Sequence, residues 1–167
     1  MDKVNTLPFR TIEEKDIDLF FKPARLIVSG TSGSGKSSFC EALIKKYHAS
    51  FSIIYIIGSN LGADIENVKR HESFNDLYIS SNEKKLIMLD DQLFCKRSMI
   101  LAADIFIRSR HLNTSIILIS QSVYFNDPNY RICMLNASHI LLFKSRSVKT
   151  IKLFARSFLD EKNRGFC

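Results

Sequence analysis

Gly30-Thr31-Ser32-Gly33-Ser34-Gly35-Lys36-Ser37 follows the pattern G-x-x-x-x-G-K-[ST] in full. The pattern suits a polyphosphate, which must be wrapped by backbone N–H groups at a helix N-terminus where partial positive charge is concentrated. The three glycines remove the Cβ atoms that would hold the main chain off the ligand. Lys36 is placed to reach the β- and γ-phosphates and the Ser37 hydroxyl to ligate Mg²⁺, while Ser38 closes the set in the first helical turn. A Gly/Ser-rich turn could match by chance. The flanks argue against that, because the apolar run Leu26-Ile27-Val28 precedes the motif and the amphipathic stretch Phe39 to Tyr47 follows it. An ATP site with Mg²⁺ is therefore expected, with Gly30, Thr31, Ser32, Gly33, Ser34, Gly35, Lys36, Ser37 and Ser38 as its binding residues.

A second set of groups suits the other half of such a site. Leu86-Ile87-Met88-Leu89 reads as a buried strand that delivers Asp90 and Asp91 to its carboxyl end, where ligands bind in open α/β sheets. Asp90 would hold Mg²⁺ through water and Asp91 would orient or deprotonate the attacking water. Asp91 could instead cap the following turn, since Asp is common there. The strand Ser115 to Ile119 ends in Ser120-Gln121-Ser122. If that strand lies between the loop strand and the Asp90 strand, Gln121 faces the γ-phosphate; otherwise it is a polar residue in an exposed loop. Arg110 and then Arg108, in Ile107-Arg108-Ser109-Arg110-His111-Leu112-Asn113, are candidates for a phosphate-stabilising finger supplied by a neighbouring subunit. Either could equally sit at a helix end, favoured there by the dipole.

These groups need a scaffold that gathers strand ends. Apolar, β-branched runs recur at 26–28, 53–57, 86–89, 116–119 and 140–143, with helical periodicity at 36–48, 98–110, 129–136 and 147–158. That alternation predicts a mainly parallel sheet covered by helices on both faces. Leu77-Tyr78-Ile79 reads as a further short strand, and Ile65 to Arg70 as another turn of helix. Residues 1–24 form a flanking segment in which Ile17, Leu19, Phe20 and Phe21 fold over the sheet, and 25–167 form one domain.

Composition bounds the rest. At 167 residues and 46% hydrophobic content the chain can bury one sizeable core. The scattered Cys40, Cys95, Cys133 and Cys167 read as reduced intracellular thiols, and the N-terminal residues carry no signal-peptide pattern. Neither His48, His71, His111 and His139 nor the cysteines fall at zinc-ligand spacing, and no apolar run reaches membrane-spanning length. The net charge of +7 favours a polyanionic partner. It is concentrated in Lys144, Arg146, Lys149, Lys152 and Arg156, which could also be one solvated helix face.

The phosphate loop, the strand ending Asp90-Asp91, Arg110-His111-Leu112-Asn113, the strand ending Ser120-Gln121, and Leu135-Asn136-Ala137-Ser138-His139 together resemble the viral genome-packaging ATPases of the FtsK/HerA superfamily, poxvirus-like members included. The resemblance spans about Phe21 to Arg156. The loop and acidic strand are generic to NTPases; the later segments narrow the match. It implies a RecA-like (ASCE) P-loop NTPase, an α/β three-layer sandwich with the Gln121 strand between the other two active-site strands. It implies ATP hydrolysis that drives double-stranded DNA into a capsid. It further implies a hexameric or pentameric homo-oligomeric ring with an arginine reaching across subunits, a capsid or portal partner, no membrane, and a place in the host cytoplasm or nucleus or in the virion. Relatives often add a helix and strand past the basic segment, which would make a chain ending at Cys167 a short form or an incomplete domain.

DNA would meet loops lining the pore of such a ring. Gln92 to Ser98, with Phe94, Lys96 and Arg97, is the first candidate, and Tyr124-Phe125-Asn126 the second; both could instead pack on a neighbour. Two rival functions share the phosphate loop. A nucleoside or nucleotide kinase would need an acceptor pocket and an arginine-bearing lid, and a nucleotide-dependent assembly module would show negligible hydrolysis.

Overall fold

The computed structural model describes residues 20, 22–58, 65–71, 83–144, 152 and 154. Its strands are β1 (Arg25–Ser29), β2 (Ile53–Ile57), β3 (Val68–His71), β4 (Lys85–Leu89), β5 (Thr114–Ser120) and β6 (His139–Leu142), and its helices α1 (Lys36–Tyr47), α2 (Lys96–Arg108) and α3 (Pro128–Asn136). All six strands pair in parallel, in the order β3-β2-β4-β5-β1-β6.

Alternation along the strands divides the core in two. Ile27, Ile87, Leu89, Ile116 and Leu118 face one side, where they bury Met99, Ala102 and Phe106 of α2 and Tyr130 and Cys133 of α3. Leu26, Val28, Leu86, Met88, Ile117 and Ile119 face the other, against Cys40, Leu43 and Ile44 of α1. β4 and β5 are buried along their whole length, as continuous apolar runs with helices on both sides require. The result is the α/β, three-layer arrangement of a P-loop NTPase. Phe20 is fully buried, its ring edge-on to Tyr47 at 5.2 Å and to Phe51 at 5.1 Å, within the core on the α1 side of the sheet. Ile17, Leu19 and Phe21 lie outside the described residues, as does Leu77-Tyr78-Ile79.

One element is corrected. The helical turn expected over Ile65 to Arg70 is a tight turn, Val68 N–H to Ile65 C=O at 3.1 Å, followed by β3. β3 is an edge strand held by its ladder to β2 rather than by apolar burial, so Val68-Lys69-Arg70-His71 shows no two-residue hydrophobic period. The basic helix expected at 147–158 falls largely outside the described residues; Lys152 and Phe154 are helical. No helix among the described residues is long and apolar enough to cross a membrane.

Candidate nucleotide site

The sheet order places β5 between β4 and β1, so the residues that follow these three strands converge at one edge. Ser32, Gly33, Ser34, Gly35, Lys36, Ser37, Ser38, Asp90, Asp91 and Gln121 line a single cavity of about 300 Å³ there. The sequence placed these groups in one site, and the fold brings them together.

The loop after β1 is held in place from both neighbouring strands. Gly30 N–H donates to Ser120 C=O at 3.2 Å, and Thr31 donates its N–H and hydroxyl to Lys144 C=O at 3.3 and 3.1 Å. Gly30 is packed so closely that a Cβ would stand 2.6 Å from the Phe143 Cβ. Thr31 and Gly30 do not line the cavity; their carbonyls take the Lys36 ammonium, at 3.0 and 2.7 Å, and curl the loop around it.

Helix α1 begins without a side-chain cap, because Gly35 occupies the N-cap position. Its first turn contains no acidic residue, so the N–H groups of Lys36, Ser37 and Ser38 are left for an external acceptor. Helix α3 is the opposite case. Asp127 accepts from Asn129 N–H at 2.8 Å and Tyr130 N–H at 2.9 Å, with Pro128 in the first turn. The contrast leaves the α1 terminus open to an anion. Inside the loop the buried Ser34 hydroxyl has no hydrogen-bond partner and lies 2.9 Å from where a Gly30 Cβ would stand.

Across the cavity, Gln121 Nε2 donates to Asp91 Oδ1 at 3.2 Å. Asp91 adopts a left-handed backbone with φ of +51°, which turns the chain sharply after Asp90. Gln92 then accepts from the Ser98 hydroxyl at 3.0 Å and fixes the loop to the start of α2. Asp90 N–H donates to Ile57 C=O at 2.9 Å, and the residue after Ile57 is Gly58, whose added Cβ would stand 2.1 Å from the Asp90 carbonyl oxygen. Gly58 was not singled out from sequence. The signal was a glycine directly after the β-branched run Ile53 to Ile57, but nothing local names Asp90 as what it must accommodate.

Cys40, on α1 behind the loop, has its thiol pushed up to about 12, first by burial and then by the Asp90 charge, with Lys36 opposing. It is an inert packing group. Among the described residues no cluster of three or more His, Cys, Asp or Glu could hold a metal. A Mg²⁺ site of the kind expected here needs only hard oxygen donors beside substrate phosphates. The Ser37 hydroxyl and the Asp90 carboxylate, which line the same cavity, fit that description.

Arg108 and Arg110 are not part of this cavity. They precede β5, whereas Gln121 follows it, and seven residues of strand separate the two edges by roughly 20 Å. Arg108 is exposed and paired with Asp104 one helical turn back. Arg110 is exposed near the start of β1, where burial and then its charge lower the pKa of Arg25. Neither can serve its own chain's site; either could act only on another subunit.

No protein-family model matches the chain, and no curated protein matches it. Among solved structures, the genome-packaging NTPase B204 from Sulfolobus turreted icosahedral virus 2 bound to ATP-gammaS is similar at a TM-score of 0.64 and 18% identity, over 83% of each chain. The same protein bound to AMPPCP gives 0.60 and 18%, over 87% of this chain and 88% of that one. The cytoplasmic domain of EssC gives 0.61 and 12%, over 78% of this chain, which spans 35% of that longer one. At these identities the likeness is one of fold, and the fold it shows is that of an NTPase.

Proposed function

We propose that the chain is an ATP-hydrolysing motor that moves double-stranded DNA, with packaging of a viral genome into a capsid as its task. The observation that carries the reading is the convergence of Lys36, Ser37, Asp90, Asp91 and Gln121 on one cavity, with the Gln121 strand between the other two. The likeness to a viral packaging NTPase supports the same reading.

In this reading ATP lays its phosphates on the first-turn N–H groups of α1, and Lys36 exchanges its two loop carbonyls for phosphate oxygens. Ser37 and Asp90 would hold Mg²⁺, which when bound would supply neutralisation of the phosphate charge. Asp91 accepts a proton from the attacking water, and Gln121 orients that water against the γ-phosphate. Arg110, or Arg108, stabilises the transition state from a neighbouring subunit of a ring, so activity depends on assembly. A capsid or portal protein would receive the ring.

The test is ATP hydrolysis across a protein concentration series, with and without duplex DNA, for the wild type, Lys36→Ala and Arg110→Ala. Turnover that rises with concentration and DNA and is lost in both variants supports the motor. Turnover independent of both, or phosphate transfer to an added nucleoside, rejects it in favour of a kinase or monomeric NTPase.

A further inference from the structure

Two loops that the sequence offers as separate candidates are one surface in the fold. Phe94, in the loop after β4, is 88% exposed, and its ring stands edge-on to Phe125, in the loop after β5, at 5.2 Å. Phe125 in turn stands edge-on to Tyr130 at 6.0 Å. Tyr130 is buried; its hydroxyl donates to Ser122 C=O at 3.0 Å and lies 3.3 Å from the Ser120 hydroxyl. The stack therefore runs from solvent to the two residues that flank Gln121. By its other arm, Phe94 lies three residues past Asp91, which Gln121 holds.

The charged side chains that directly follow Phe94 are both basic. Lys96 and Arg97 are exposed in the first turn of α2, which has no acidic residue. Of the acids around these loops, Asp90 and Asp91 line the nucleotide cavity, Asp104 pairs with Arg108, and Asp127 accepts from the N–H groups of α3. An exposed aromatic ring followed two and three residues on by exposed cations, and backed by two further rings, matches a polynucleotide, with cations on phosphates and ring on sugars and base edges. Such a grip reads no sequence, as a translocating motor requires.

We propose that Phe94, Lys96 and Arg97, backed by Phe125 and Tyr130, are the DNA-gripping surface of this chain. The proposal rests on the motor reading and assigns its partner to named side chains. The Phe94–Phe125–Tyr130 stack gives DNA contact a direct mechanical connection to the Gln121 end of β5.

The chain contains no tryptophan, so Phe94→Trp installs a unique fluorophore at a site exposed enough to accept it. Its emission is titrated with mixed-sequence duplex DNA and with heparin in the presence of a non-hydrolysable ATP analogue, beside anisotropy of labelled duplex on the wild type. We expect the duplex, and not heparin, to change the emission. Phe94→Ala should weaken duplex binding about tenfold, and Lys96→Ala with Arg97→Ala should lower the salt slope by about one unit each. Duplex binding by the wild type with silent Phe94→Trp emission and undiminished Phe94→Ala affinity overturns this surface and leaves the motor. An equal response to heparin reduces the contact to charge alone and overturns the grip. Emission that changes with protein concentration alone seats a second copy there and also overturns it. If the wild type binds no duplex in any nucleotide state, the motor reading falls and takes this surface with it.

Discussion

Gln121 and Asp91, thirty positions apart in the sequence, are joined by a hydrogen bond of 3.2 Å between the carboxyl ends of adjacent strands. The bond occupies the carboxylate proposed as water activator, and the Gln121 amide is the group proposed to meet the γ-phosphate. A nucleotide that draws Gln121 away would free Asp91, so under the proposed function both residues would act at the same step.

Gln121→Ala and Asp91→Asn should therefore each lower kcat by about 100-fold or more while nucleotide affinity changes by about threefold or less. Single-turnover phosphate release together with equilibrium binding of a fluorescent ATP analogue separates the two quantities. A change confined to affinity would place these residues in ground-state binding instead.

Lys36→Ala should remove both turnover and at least about tenfold in nucleotide affinity, because the ammonium is the only side-chain cation lining the cavity among the described residues. It also removes two charge-assisted hydrogen bonds inside the loop, at a cost of about 1.5–3 kcal/mol each. Nucleotide titration calorimetry alongside thermal unfolding without nucleotide tests both parts.

Gly58→Ala is expected to be among the more damaging single-methyl additions in the chain. The backbone is left-handed there, with φ of +87°, and the added carbon would press on the Asp90 carbonyl at 2.1 Å. Strain on the order of 3 kcal/mol should lower Tm by roughly 6–12 °C, with lost hydrolysis as Asp90 is displaced. Unchanged Tm and turnover would remove Gly58 from the account of the site.

Alkaline pH should unfold the protein through three buried groups. Cys40, Cys133 and Tyr130 are each raised to about 12, chiefly by burial, from ordinary values of 9.0, 9.0 and 10.0. The folded state thus holds protons that the unfolded chain releases. Stability from this source is fully present below about pH 9 and is lost as pH rises towards 12. Cys95 goes the other way: it is exposed, and the Ser98 hydroxyl, then the first-turn N–H groups of α2, lower its pKa. Timed alkylation near neutral pH, read by mass spectrometry, should modify Cys95 well before Cys40 or Cys133.

Much of this site was legible because its signals are local. The phosphate loop is a contiguous pattern, and the strands that deliver Asp90 and Gln121 are apolar runs whose lengths the fold reproduces to within a residue or two. Even the central position of β5, needed for Gln121 to matter, followed from the resemblance and holds in the sheet. What sequence did not disclose depends on contacts across the sheet. β3 carries no apolar period because its ladder forms at an edge. Gly58 is explained only by a carbonyl more than thirty residues away, and the joining of the Phe94 and Phe125 loops follows from the pairing of β4 with β5.

β5 is hydrogen-bonded along both sides, to β4 and to β1. To slide along its own axis it would have to break two ladders at once, so the strand that carries Gln121 is a fixed beam rather than a piston. Whatever Gln121 detects must leave as rotation of its side chain and displacement of the loops at the beam's end. Any stroke this molecule makes is therefore expected to be generated at the rim of the sheet, with the sheet itself serving as the stationary frame against which it is measured.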